Sequence, residues 1–153
     1  MGCEIYHARD SRFDKQKKMG EDQYHLVLLA TDLEGYKNLM KIVSYAHLEG
    51  FHYKPRADVE LLKKHSKGLI ALSGCMSGII AKSILNDEPE YAEKWIQTFI
   101  DIFGKENFYI ELQRHPGIPE LPKLEKKLIA LSRKYGLGLV ATNDAHYVAK
   151  DDA

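Results

Sequence analysis

Four short apolar runs constrain this chain more than any other feature. Residues Tyr24–Ala30, Leu69–Leu72, 107–113 and 137–141 are rich in Leu, Ile, Val and Tyr and are each too short to be a buried helix. Between them lie stretches whose apolar residues recur at helical spacing. Leu39, Ile42, Val43 and Ala46 share one face of a stretch ending near Leu48, and Trp95, Phe99 and Ile102 share one face of residues 90–103. A third such stretch covers residues 122–135. Strand–helix alternation of this kind predicts an α/β fold with a parallel sheet, open or curled into a barrel. In such folds the residues that do chemistry collect at the C-terminal ends of strands.

The remaining segments fill in this frame. Residues 3–8 read as a further strand, and residues 9–22, polar and mixed in charge, read as a loop. Thr31 and Glu34 form a T-x-x-E capping box that should open the first long helix, with Gly50 just past its end. Residues 51–56 form a loop of aromatic and basic character, and Asp58 should cap a short helix running to His65. Residues 73–75 make a tight turn before a helix over 77–85, and residues 115–119 a Pro- and Gly-containing loop. With no repeat, low-complexity segment or linker, one domain is expected. The chain opens inside a strand, so it is expected to be an internal piece of a larger protein.

Composition excludes several function classes. Twenty-two basic and twenty-two acidic residues cancel, with a sequence pI near 7.1. That argues against a surface built to coat nucleic acid, but not against a small pocket that holds a nucleic-acid end. The two cysteines, Cys3 and Cys75, have no disulfide-framework spacing, which fits a reducing, cytoplasmic setting. No apolar run is long enough to span a membrane, and no membrane partner is expected. Met1-Gly2-Cys3 superficially suggests acylation, but Tyr6 stands where the myristoylation pattern requires Ser or Thr.

Several polar residues sit where apolar ones would be expected. Glu4 lies inside the first strand, where an unpaired buried carboxylate would be costly and a cation should meet it. Cys3 must point to the opposite face and reads as core. His25, at the start of an apolar strand, reads either as a core histidine satisfied by one backbone partner or as a ligand. Cys75, between a strand and a helix, reads either as a small residue at a tight turn or as a thiolate stabilised by helix amides. Glu111 raises the same question as Glu4. Asp144 and His146, two apart just beyond the last apolar run, would leave an extended segment on the same face, unless the segment is only a polar turn. Together these are N, O and S donors suited to zinc, manganese or iron. If they converge they could hold more than one cation, and paired metals can clamp the attacking and leaving oxygens of a phosphoester hydrolysis.

The ordered motifs Gly2-Cys3-Glu4-Ile5-Tyr6, Tyr24-His25-Leu26-Val27-Leu28-Leu29, Leu48-Glu49-Gly50-Phe51 with Tyr53-Lys54-Pro55-Arg56, Ala71-Leu72-Ser73-Gly74-Cys75, Ile110-Glu111-Leu112-Gln113 and Ala141-Thr142-Asn143-Asp144-Ala145-His146-Tyr147 closely resemble the polymerase and histidinol phosphatase (PHP) domain of the bacterial DNA polymerase III alpha subunit. The likeness covers essentially the whole chain. It implies a distorted, TIM-like β/α barrel with a cluster of two or three divalent metals at the strand ends. Glu4, His25, Cys75, Asp144 and His146 match the family's metal-ligand positions, and Glu111 and Asn143 are implied as supporting residues beside them. In some members the cluster serves 3′–5′ exonuclease proofreading, and in others the domain is structural. The resemblance further implies DNA and other replisome subunits as partners of an intact polymerase.

One departure is large. The family's opening His-x-His strand, the acidic ligand after it and the Thr-Asp-His motif are not in this sequence. About four ligands and the first strands are therefore expected to be missing, leaving an incomplete barrel, a partial metal site and an inactive piece with unpaired strand edges open to association. Two other functions compete: a free-standing phosphoesterase of the histidinol-phosphatase kind, and a non-catalytic docking domain in which the polar cluster is merely hydrogen-bonded.

Overall fold

The computed structural model describes residues 1–115, 117–143 and 145–152. Its strands are β1 (Gly2–His7), β2 (Tyr24–Ala30), β3 (Arg56–Ala57), β4 (Leu69–Leu72), β5 (Phe108–Gln113) and β6 (Gly138–Thr142). The helices are α1 (Leu33–Leu48), α2 (Val59–His65), α3 (Ile79–Leu85), α4 (Pro89–Phe103) and α5 (Leu121–Tyr135). All six strands form one sheet in the order β3-β1-β2-β4-β5-β6. The chain is α/β, consistent with an incomplete barrel, and the sheet is not closed.

The sheet is mixed, not parallel as expected. β2 runs antiparallel to both of its neighbours, β1 and β4, while β1/β3, β4/β5 and β5/β6 are parallel. The reason is the connector between β1 and β2. It contains no helix, so the chain turns back beside β1 instead of crossing over to restart in the same direction. This reversal positions the site. Val27 pairs with Leu72, so the start of β2, with His25, lies at the same sheet edge as the end of β4, from which the turn to Cys75 departs.

Directly paired residues share a face. Ile5 with Leu26, Leu28 with Ala71, and Ala71 with Phe108 therefore point together, and all are buried against the helices. Leu39 and Ile42 of α1, Leu61 and Leu62 of α2, Ile80 of α3, Trp95 and Phe99 of α4 and Leu128 of α5 complete one core on that side. Cys3 is half-buried against it, as expected for a core filler. The opposite face carries Glu4 and Tyr6 of β1, His25, Val27 and Leu29 of β2, and Glu111 and Gln113 of β5. Glu4 and Leu29 on that face are exposed.

One local expectation is corrected. The N-cap of α1 is Asp32, whose carboxylate accepts from the Gly35 amide at 2.7 Å. Thr31 instead donates its hydroxyl to the Gly68 carbonyl at 3.0 Å, and Glu34 pairs with Lys67 at 3.0 Å, so no capping box forms. The 9–22 segment is a loop, as expected, and it is pinned by ion pairs. Arg12 places its guanidinium 2.7 Å from Glu49 and 2.8 Å from Asp58, the predicted cap of α2, and its amide donates to the other Asp58 oxygen at 2.9 Å. Arg56, which ends the aromatic and basic loop, is completely buried and donates to the carbonyls of Gly50, Arg12 and Asp14.

Candidate metal centre

Three of the sequence-selected residues meet. One donor atom each from Glu4, His25 and Cys75 lies within 4.8 Å of the others. Glu4 and His25 are diagonal neighbours on antiparallel strands, since Glu4 pairs with Val27 and His25 with Tyr6, and the Glu4 carboxylate reaches His25 Nδ1 at 3.2 Å. Cys75 arrives from the turn after β4, with its sulfur 3.4 Å from the same Nδ1. The Tyr6 and His25 rings pack nearly perpendicular to each other, with centroids 5.2 Å apart.

The turn that delivers Cys75 is built around His25. Gly74 has φ +79°, and a Cβ there would sit 2.6 Å from the His25 carbonyl oxygen, so the position demands glycine twice over. The His25 amide in turn donates to the Ser77 carbonyl at 3.1 Å. Gly74→Ala is accordingly expected to cost on the order of 2 kcal/mol. It should also move Cys75 out of reach of His25. A thermal melt and a thiol-reactivity assay on the same variant check both parts.

Glu111 anchors the other side of the turn. It is buried, and among the described residues no cation pairs with it, against the expectation that it shared Glu4's need for one. Its carboxylate accepts from the Gly74 amide at 3.1 Å, the Gln113 side-chain amide at 3.1 Å and the Thr142 hydroxyl at 2.6 Å. Its own amide donates to Ser73 Oγ at 2.9 Å. Neutral donors can satisfy a buried carboxylate as a cation would. Glu111 thus ties the Cys75 turn to the end of β6. Glu4, expected to be buried, is instead exposed, because its face of the sheet lies open.

The electrostatics favour a thiolate. Burial pushes the Cys75 thiol up, but hydrogen bonds from His25 and from the Ser77 amide at 3.4 Å outweigh it, and the net shift is downward. The helix-amide explanation is corrected: α3 starts four residues later, at Ile79, and stabilisation comes from that one turn amide and the imidazole. The bond to Cys75 raises His25 above its ordinary value, against partial burial, and Glu4 adds to the rise. His25 is therefore not a core histidine with one backbone partner.

Of the last predicted pair, only His146 is described. Asp144 lies outside the described residues. His146 and Asn143 are exposed, and His146 is not in the three-residue group. β6 is an edge strand two positions from β4, roughly 10 Å away at ordinary strand spacing. Sequence reasoning also passed over Tyr6, Ser73 and Thr142. Tyr6 was open to detection, since strand alternation places it on the Glu4 face. The two hydroxyls gave no sequence signal, because their partner is on another strand.

A glutamate oxygen, an imidazole nitrogen and a thiolate sulfur at mutual distances under 5 Å, half-open to solvent, suit a divalent transition metal with a free coordination position. The PHP domain family model matches residues 1–115, which span β1 to β5 and all three donors. The chain belongs to the PHP domain family. This PHP chain is 50% identical over its whole length to the DNA polymerase III subunit alpha of Thermus aquaticus. It is 44% identical over 99% of its length to that of Aquifex aeolicus, and 46% identical over its whole length to that of Borreliella burgdorferi. It spans only 12–13% of the length of these relatives.

Proposed function

We propose that this PHP chain is part of the alpha subunit of a replicative bacterial DNA polymerase, and that Glu4, His25 and Cys75, completed by Asp144 and His146, hold divalent metal used to hydrolyse a phosphodiester at a DNA 3′ end. The convergence of three chemically distinct donors from β1, β2 and the β4 turn carries this reading. The native ions would be zinc, manganese or iron, two or three in a complete cluster. DNA and other replisome subunits would be the partners, in the cytoplasm. Among the described residues no helix is long and apolar enough to cross a membrane.

A bound metal of this type polarises a phosphoryl oxygen and lowers the pKa of its water. The chain's own residues would prepare the site. His25 and the Ser77 amide keep Cys75 ready to ligate as a thiolate. Glu111 and Gly74 fix the turn that presents it. Glu4, exposed beside them, offers a carboxylate oxygen without desolvation to overcome.

Elemental analysis after equilibration with zinc or manganese tests the reading. The wild-type chain should bind stoichiometrically, and Glu4→Ala, His25→Ala and Cys75→Ser should each lower affinity by more than tenfold. Asp144→Ala with His146→Ala should lower the metal content further. Unchanged metal content in all of these variants would overturn the assignment. One observation favours a second reading, that of a docking domain without metal: Glu4 and Cys75 already share His25 Nδ1 as a partner. A wild-type chain that stays metal-free under these conditions would support it.

A further inference from the structure

β4 leaves the sheet early, and side chains take over its ladder. It pairs with β5 only through Ala71 with Phe108 and Leu72 with Tyr109. The Ser73 amide still reaches the Tyr109 carbonyl at 3.0 Å, and the chain then turns away at Gly74. Past that point each bond between the segments uses a side chain. The Glu111 amide donates to Ser73 Oγ at 2.9 Å, and the Gly74 amide donates to Glu111 Oε2 at 3.1 Å. The turn that presents Cys75 is therefore held to β5 by the direction of the Glu111 carboxylate, not by a backbone ladder.

That direction is set from the far side. Val140 pairs with Glu111 and Thr142 with Gln113, so Thr142 is a diagonal neighbour of Glu111 on the same face of the sheet. The Thr142 hydroxyl donates to Glu111 Oε1 at 2.6 Å, and Gln113 Nε2 donates to the same oxygen at 3.1 Å. The short bond from a hydroxyl to a carboxylate is the stronger kind. Gln113 belongs to the same strand as Glu111 and moves with it, whereas Thr142 ties the carboxylate to β6. One oxygen thus faces the turn and the other faces β6, and the rigid plane of the carboxylate joins them.

We propose, on the metal-centre reading above, that Thr142 is a positioning residue: through Glu111 and Gly74 it fixes where Cys75 presents its sulfur to the metal, and it couples the end of β6 to the β4 turn.

The test uses the full chain. Cobalt(II) titration follows the thiolate-to-metal absorption band, which reports Cys75 on the metal and which Cys75→Ser should abolish. Hydrogen exchange of the Gly74 amide, read by NMR on metal-free protein, reports the turn itself. Thr142→Val keeps the branched shape and removes the donor. It should weaken cobalt binding by about tenfold. It should also speed Gly74 exchange by about tenfold while the β2 amides exchange as in wild type. Thr142→Ser restores the hydroxyl and should stay within about twofold of wild type in both readouts. With Glu111→Gln already in place, Thr142→Val should add little, because both act on the same carboxylate. Unchanged Gly74 exchange in Thr142→Val, equal losses in Thr142→Ser, full additivity with Glu111→Gln, or exchange that rises throughout β2 would overturn the proposal. A wild-type chain without the thiolate band, in which Thr142→Val still speeds Gly74 exchange, keeps the relay and sinks the metal centre. A wild-type chain with the band, in which Gly74 exchange is indifferent to Thr142→Val, does the reverse.

Discussion

Replacing Arg56 by alanine is expected to lower the stability of the fold by about 3–5 kcal/mol. Arg56 is fully buried, and its guanidinium gathers several groups. It donates to the Gly50 carbonyl at 3.3 Å, the Arg12 carbonyl at 3.3 Å and the Asp14 carbonyl at 2.5 Å, and lies 3.5 Å from the buried Asp22 carboxylate. Asp22 also accepts from the Arg9 amide. Removing the guanidinium strands the buried Asp22 carboxylate and leaves the Asp14 carbonyl short of a partner, the costly kind of truncation, while the Gly50 and Arg12 carbonyls keep the Arg56 amide and the Lys15 ammonium. Arg56→Lys keeps the charge but not the planar fork, so an intermediate loss is expected. Urea denaturation of the two variants measures this, and Arg56→Ala with Asp22→Asn should recover part of the loss because the stranded charge is gone. A loss below about 1 kcal/mol for Arg56→Ala would mean that the 9–22 segment is held by other contacts.

The second large effect is an acid transition centred on His7. This side chain is completely buried, its ring packed edge-on against Trp95 at 4.8 Å and Phe99 at 5.6 Å between centroids, and neither nitrogen has a hydrogen-bond partner among the described residues. Burial lowers its pKa from 6.5 to about 4, although the Asp58 carboxylate pulls the other way. In the unfolded chain the imidazole titrates near 6.5. The fold therefore holds His7 neutral. Its stability is intact above the unfolded value and falls as pH drops from about 6.5 toward 4, by about 3 kcal/mol over the window. His7→Phe cannot titrate, fits among the same aromatic rings and removes two orphaned nitrogens. Its unfolding free energy should be nearly flat over that pH range. Equal slopes for wild type and His7→Phe would assign the acid sensitivity to other groups.

Both effects lie in parts of the chain where sequence reasoning was least informative. Residues 9–22 are polar and aperiodic, and nothing local marks Arg12 or Asp22 as buried. Their partners, Asp58 and Arg56, are more than thirty residues away. The histidine that did attract attention as a core residue was His25, yet the core histidine is His7, with His25 on the open face. Strand alternation separates the two faces of β1 and β2 but cannot say which face the helices cover. The same ambiguity made Glu4 look buried and left Glu111 without an explanation. Glu111 is satisfied by neutral donors from the Ser73–Gly74 turn, β5 and β6, which only strand pairing brings together.

The sequence by itself determined the kind and order of elements, because apolar period and turn chemistry act over a few residues. It determined the boundaries of β2 and β4 to the residue, the Asp58 cap of α2, and the family, through ordered motifs that carry their chemistry in residue identity. Tertiary structure decided the direction of β2, the open sheet, and the meeting of Glu4, His25 and Cys75. The donor group exists because β2 runs backwards: only an antiparallel β2 brings its first residues to the edge where β4 ends. That direction was set by a helix-free connector pinned through Arg12 and Arg56, a long-range ion-pair arrangement with no local signature.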